Sequence, residues 1–245
     1  MMLPKKIISA LLGAIAASVL TFGAQAAPIT IPVGLNPGDT YRLAFVTSFK
    51  TSGPSKIDLN FYNSWVNNLA YTATGLIGWT AIASTRDIDA RDNTNTNYLT
   101  ATGTAIYLLD GSTKIADNNA DLWDETIDSP IDRDEHGASI CGAGGCSDED
   151  GDEEWIWTGT SYDGTAVIDA AFGAPFPAIA TGLPVQDERW VWNDLTSAAR
   201  QGRFYAISGF LTVPEGTTTI PAPASLLLFG LGLAGLGFAR RKRAA

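Results

Sequence analysis

Histidine is almost absent from this chain of 245 residues, with His136 the sole example. A serine-type hydrolytic triad takes its base from histidine, and no Gly-x-Ser-x-Gly elbow occurs to present a nucleophile. Cysteine is nearly as scarce: Cys141 and Cys146 are the two in the chain, which excludes a four-thiolate metal site. Positive charge is short as well. Of 16 Lys and Arg residues, six (Lys5, Lys6, Arg240, Arg241, Lys242 and Arg243) lie in the two terminal segments. The stretch between them holds 10 basic residues against 26 acidic ones, a charge of about −16. Nucleic acid and anionic lipid both require a basic footprint, so neither is a partner of that stretch. No internal repeat is visible. Gly230-Leu231-Gly232-Leu233-Ala234-Gly235 matches a dinucleotide fingerprint by letter, yet it lies in an apolar run with no strand before it. Small residues there suit close helix packing in a membrane instead.

The two ends of the chain read as addresses. Lys5 and Lys6 form a positive n-region, Ile7 to Phe22 an apolar h-region, and Ala24-Gln25-Ala26 a small-residue cleavage box, so residues 1–26 are expected to be a signal peptide cut by signal peptidase after Ala26. At the other end, Pro214 to Pro223 is rich in Thr and Pro and reads as an extended linker. Ala224 to Ala239 is an uncharged apolar run of 16 residues, expected to be a membrane helix and followed at once by Arg240-Arg241-Lys242-Arg243. At ~1.5 Å per residue such a helix spans about 24 Å, enough for a bilayer core when arginines snorkel. The basic cluster favours a cytoplasmic C-terminus.

Pro221-Ala222-Pro223, the apolar run and the terminal Arg cluster together resemble the PEP-CTERM sorting signal of Gram-negative bacteria, with Ala222 standing where that family has Glu. The resemblance implies an exosortase-like enzyme as partner, acting on Pro221 and Pro223 and on Arg240 to Arg243. It also implies delivery to the inner membrane through residues 224–245, then the cell surface or the exterior after processing.

Between the two addresses, residues 27–212 have the length of one domain and ample aromatic and aliphatic residues for a core; residues 213–223 form the linker and sorting motif. Export makes a disulfide between Cys141 and Cys146 the default, with glycines between them permitting a tight turn. Tyr41 to Val46 alternates as an early strand. Ser55-Lys56-Ile57-Asp58 reads as a capping box, with Phe61, Tyr62, Trp65, Val66 and Leu69 at helical spacing as far as about Ala70. Short strands are expected at Trp79 to Ala83, Ile106 to Leu109, Trp155 to Trp157, Arg189 to Trp192 and Phe204 to Val213, with a turn at Asp110-Gly111. The fold class is α+β, strand-dominated and loop-rich.

Acidity is uneven: 15 acidic residues fall between Asp110 and Glu154, against Lys114 and Arg133. Such a run is ordinarily a solvated face. Its densest part places Asp148, Asp150 and Asp152 at alternate positions, which makes Ca²⁺ the candidate ion, although the spacing of Gly151 and Gly159 departs from an EF-hand.

Trp157-Thr158-Gly159-Thr160, then Trp190-Val191-Trp192-Asn193-Asp194, then Phe204-Tyr205-Ala206-Ile207 resemble, in order and spacing, the Trp-Ile-Gly, Trp-Asn-Asp and last-strand motifs of C-type-lectin-like domains. Tyr107 to Leu122 adds a likeness to a bacterial extracellular family of that fold. The resemblance implies a single C-type-lectin-like domain and assigns a Ca²⁺-ligating role to Asn193 and Asp194; polysaccharide is the implied ligand class. Core packing of the tryptophans stands beside that ligand role. The functional expectation is a non-enzymatic binding or structural module of the envelope or matrix, with a Ca²⁺-dependent carbohydrate-binding module and a secreted hydrolase as alternatives.

Overall fold

The computed structural model describes residues 30–215 apart from 142–145, 147–153 and 176. The expected signal peptide, apolar helix and sorting residues lie outside that range. Among the described residues no helix is long and apolar enough to cross a membrane.

Strand β1, Thr40–Val46, is buried along nearly its whole length because both of its faces are covered. Tyr41, Leu43 and Phe45 enter one apolar cluster, and Ala44 and Val46 the other. Two-residue alternation therefore feeds two cores rather than one core and solvent. Behind β1 the chain makes a two-residue strand β2 (Thr51–Ser52), then helix α1 (Leu59–Thr74) and strand β3 (Trp79–Ala81). Helix α1 buries Leu59, Tyr62, Val66 and Ala70 in the first cluster. A short helix α2 (Ala90–Asn93), strands β4 (Ile106–Leu108) and β5 (Lys114–Ala116), and helix α3 (Asn119–Leu122) follow. Strands β6 (Ile156–Trp157), β7 (Ala178–Gly182), β8 (Asp194–Ser197), β9 (Gln201–Gly202), β10 (Tyr205–Ser208) and β11 (Leu211–Thr212) complete the chain.

The principal sheet runs β3-β10-β1-β4-β5, with β11 also on β1. Strand β10 is antiparallel to β1 (Ala44↔Ile207), whereas β4 is parallel to it (Ala44↔Leu108). Strands β6-β7-β8 form a second, smaller sheet. The whole is α+β and strand-rich, as expected.

Several local expectations need correction. Helix α1 is capped by Asp58, whose carboxylate accepts from Asn60 N at 3.0 Å, and not by Ser55. Residues 55–57 stay out of the helix because the Tyr62 hydroxyl takes the Lys56 N–H at 2.9 Å, while the Ile57 backbone lies against Gly173. The helix also runs past Ala70 to Thr74, where Gly75 at φ +74° closes it by donating to the Tyr71 carbonyl. Arg189 to Trp192 is not a strand: Glu188–Trp190 is a 3-10 turn, started by the Asp187 carboxylate accepting from Arg189 N at 3.1 Å. The last expected strand is two, β10 and β11. Strand β7 was not legible, since Ala178-Ile179-Ala180-Thr181-Gly182 has little alternation, yet it is the centre of the second sheet.

The Asp110-Gly111 turn is present, with Gly111 at φ +80°. Asp110 accepts from Ser112 N and Thr113 N, both at 2.9 Å, and from the Thr113 hydroxyl. Burial raises its carboxyl, but these donors outweigh burial and hold it below the ordinary carboxylate value.

Two buried groups tie the layers. Arg42, 2% exposed, donates to three backbone carbonyls: Nε to Ser208 (2.7 Å), Nη2 to Thr94 (2.7 Å) and Nη1 to Asn95 (3.4 Å). Burial pushes its guanidinium down to about 10, which leaves it charged at neutral pH. Gly182 is the second, since a Cβ there would lie 2.1 Å from the Trp190 carbonyl oxygen. That oxygen is backbone and cannot swing aside, so Gly182→Ala should cost about 2 kcal/mol or more, roughly 5–8 °C in melting temperature, by scanning calorimetry. A melting point unchanged within 1–2 °C, on the order of the smallest resolvable shift, would show that the second sheet tolerates separation from the 190 turn.

Candidate functional site

At the end of β1, where Val46 gives way to Thr47 and Ser48, the chain meets the start of β10 and an acidic segment from each of two loops. Here four charged side chains gather. Arg203, the residue before Phe204, turns inward because its backbone is held on both sides: Arg203 N donates to Trp155 O, and Trp157 N donates to Arg203 O, each at 2.8 Å. Its Nε donates to Glu154 Oε2 at 3.0 Å, and Nη1 donates to the carbonyls of Thr47 (2.9 Å) and Ser48. Lys50 Nζ reaches the other oxygen of Glu154 at 3.1 Å. Both oxygens of a carboxylate whose side chain is only 5% exposed are thus paired with cations.

The second carboxylate, Glu135, is 1% exposed and belongs to a tight loop. Asp134 builds that loop by accepting from His136 N and Ala138 N, both at 2.9 Å, while Arg133 bridges Ser139. Glu135 is thereby aimed at Ser48, whose N–H donates to Oε2 at 2.8 Å and whose hydroxyl donates to Oε1 at 2.5 Å. His136 Nε2 stands 3.8 Å from Oε1 on the solvent side. Ser48 therefore touches both halves of the network. Nearby, Tyr205 donates its hydroxyl to Leu183 O at 2.9 Å, and burial pushes its phenol well above the ordinary value, with Asp132 adding to the rise.

The network reaches the disulfide through Glu154. Cys141 and Cys146 are bonded, with Cα atoms 4.2 Å apart, and Cys146 O accepts from Glu154 N at 3.1 Å. The bridge and Glu154 together clamp both ends of the acidic segment to the fold.

The sites expected from sequence fall elsewhere. Asp148, Asp150 and Asp152 lie outside the described residues, as do Ala24, Ala26, Pro221, Pro223 and Arg240 to Arg243. Asn193 N donates to Thr181 O at 2.6 Å, and Asp194 opens edge strand β8. The Asp194 carboxylate is exposed and accepts from Leu195 N at 2.7 Å. Among the described residues no group of three or more His, Cys, Asp or Glu side chains is placed to hold a metal ion. Trp157 and Trp190 are both fully buried and pack in the cores, while Trp192 and Asn193 are half-buried. Trp157 lies in the first cluster with its indole donating to Thr51 O at 3.1 Å, and Trp190 packs at a tilt against Trp123 and Tyr205 in the second. Glu135, Glu154, Arg203, Lys50 and Ser48 were not singled out from sequence. The sole signal was the Asp134-Glu135-His136 triplet, and nothing in it distinguishes one buried acid from its exposed neighbours.

A buried ion pair is costly to break, because removing one partner strands the other charge. Arg203→Met should therefore lose about 3 kcal/mol, some 6–12 °C in melting temperature, while Arg203→Met combined with Glu154→Leu should recover most of that loss. Thermal melts of the two variants check this; equal losses in both would mean that Arg203 matters through its backbone-carbonyl bonds alone.

Comparison with known protein families finds the PEP-CTERM protein-sorting motif at residues 219–243. No curated protein matches the chain. The matched stretch is the proline pair, apolar run and basic cluster read from the sequence, and it follows directly on the last strand and its short exit. The chain carries a PEP-CTERM sorting signal, and it is therefore a protein handled by an exosortase-like system that acts as its processing partner.

Proposed function

We propose that the domain is a non-enzymatic binding or structural module, C-type-lectin-like in architecture, held first at the inner membrane by residues 224–245 and then displayed at the cell surface or released. The observation that carries this reading is the sorting signal placed immediately behind the last strand. The lectin-like architecture draws support from the pairing of β1 with the final strands and from the Trp157 and Trp190 motifs anchoring the two cores. Against a hydrolase, the buried carboxylates of Glu135 and Glu154 have both oxygens committed to internal partners, which leaves neither free for acid or base work on a substrate.

Geometry adds an orientation. Val213 N donates to Asp39 O, and Gly38 N donates to Val213 O, both at 2.9 Å, so the chain leaves the fold beside the start of β1. The Glu135–Ser48–Arg203–Glu154 network lies at the other end of the same strand. Seven residues at ~3.3 Å each put roughly 20 Å between the tether and the network. Cys146, bonded to Glu154, thus lies at the end away from the tether, where an extracellular polysaccharide or matrix partner would meet the domain.

Deleting Arg240 to Arg243 removes the charge that sets the orientation of the apolar run. Cell fractionation should then show less membrane-associated precursor and an altered mature mass; unchanged distribution and mass would overturn the sorting role of this cluster.

Ca²⁺ separates the binding module from its metal-assisted form. If Asp148, Asp150 and Asp152, or Asn193 and Asp194 with ligands from another loop, bind the ion, then Ca²⁺ at a hundred times its dissociation constant stabilises the fold by about 2.7 kcal/mol, on the order of 5–10 °C. Melting curves with millimolar Ca²⁺ and with EDTA decide it. No rise assigns the acidic run to solvated surface, and glycan-array binding insensitive to EDTA would point the same way.

A further inference from the structure

The register around β1 contains one residue too many. Strand β10 pairs as Ala44↔Ile207 and β11 as Tyr41↔Leu211, so three steps along β1 answer to four along its partner. Continuing the β10 register sets Gly209 against Arg42, and Phe210 has no counterpart: it is a bulge residue, turned out of the sheet. Its ring lies over the buried Arg42 guanidinium, 5.3 Å from Cζ to centroid, and it remains 51% exposed. On the other side Gly209 N donates to Gly78 O at 2.8 Å, and the same antiparallel register, with Ser208↔Trp79, brings Phe210 across from Ile77, which is 72% exposed. Two large apolar side chains are thus displayed together, one of them by a bulge that a plain strand would not need.

Their location is the end of β1 from which the chain departs. Nine residue steps separate Glu215 from Ala224, so the tether, extended at ~3.3 Å per residue, keeps this end within about 30 Å of the apolar run. Charge is arranged to match. Residues 59–85, 93–109 and 204–214, which carry both side chains and much of this end, contain no Asp, Glu, Lys or Arg; the charges by the exit are Asp39, Glu215 and, at the end of β5, Asp117. The uncharged stretch around Phe210 and Ile77 meets a headgroup surface with less repulsion than the acidic 110–154 segment does.

We propose that Phe210 and Ile77 form a footprint by which the tethered domain rests on the lipid surface before it is processed. The inference rests on the reading of residues 224–245 as a membrane anchor. Aromatic and aliphatic side chains at the headgroup level favour contact without a basic patch, and the tether supplies the local concentration that such a small footprint requires.

The test uses the full chain. Its two cysteines are bonded to each other, so Phe210→Cys, Ile77→Cys and, at the far end, Phe49→Cys each offer one thiol for a polarity-sensitive dye. The labelled proteins are reconstituted into phosphatidylcholine vesicles that carry a nitroxide lipid. Labels at 77 and 210 should be quenched several-fold more than the label at 49, and the Ile77 variant gives an independent answer if Phe210→Cys misfolds. Equal quenching at the three positions in vesicle-bound protein overturns the footprint and leaves the anchor standing. Failure of the protein to float with vesicles overturns both. Labels at 77 and 210 that are shielded but unquenched, with energy transfer between copies, identify the face as a contact with a second chain and overturn lipid as its occupant.

Discussion

The antiparallel pairing of β1 with the last two strands is the constraint on which the rest of the structure depends. It makes the first strand of the domain a central strand, covered on both faces, and it places the two chain ends side by side. Strands β3, β4 and β5 extend the same sheet, and the rest covers it: helix α1 on one face, the 123 and 190 indoles on the other, and the small β6-β7-β8 sheet joined through the backbone of Arg203. The same pairing separates the exit, with its uncharged surroundings of Phe210 and Ile77, from the buried charge network at the far end of β1.

The charged end is stabilised differently from the apolar cores. Burying Glu154 requires Arg203 and Lys50 together, and burying Glu135 requires two donors from one serine. Such a network adds less net stability than apolar packing of equal volume, but its geometry admits few alternatives. The acidic segment between Cys146 and Glu154 has two fixed ends: the Cys141–Cys146 bridge and the Glu154–Cys146 backbone bond.

Much of this was legible in the residues. β1, β3, β4 and β10 announce themselves by β-branched and aromatic residues between turn signals, and α1 by apolar spacing, because each of these signals is local. The helix start was displaced from Ser55 to Asp58 by a contact that local pattern does not carry, the Tyr62 hydroxyl on the Lys56 amide. Strand β7 escaped notice because its small residues are chosen for the approach of the 190 turn and not for strand propensity. The sorting signal was the clearest feature of all, since it is read by composition and order. The charge network was illegible for the opposite reason: among the described residues burial singles out three acids, Asp134, Glu135 and Glu154, and burial is decided by strands far apart in the chain.

Pairing the first strand with the last also has a kinetic meaning. Ala44 and Ile207 are more than 160 residues apart, so the central ladder cannot close until nearly the whole domain is present in one compartment. A chain passed across a membrane from its N-terminus could pair β1 with β4 early, but the opposite edge of β1 would stay open to chaperones or to other chains until β10 and β11 emerged. The sorting signal is the next segment to arrive. Completion of the fold and arrival of the signal at the membrane therefore become nearly simultaneous events, separated by the time needed to deliver a few residues, and a processing enzyme waiting there would meet a domain only just closed.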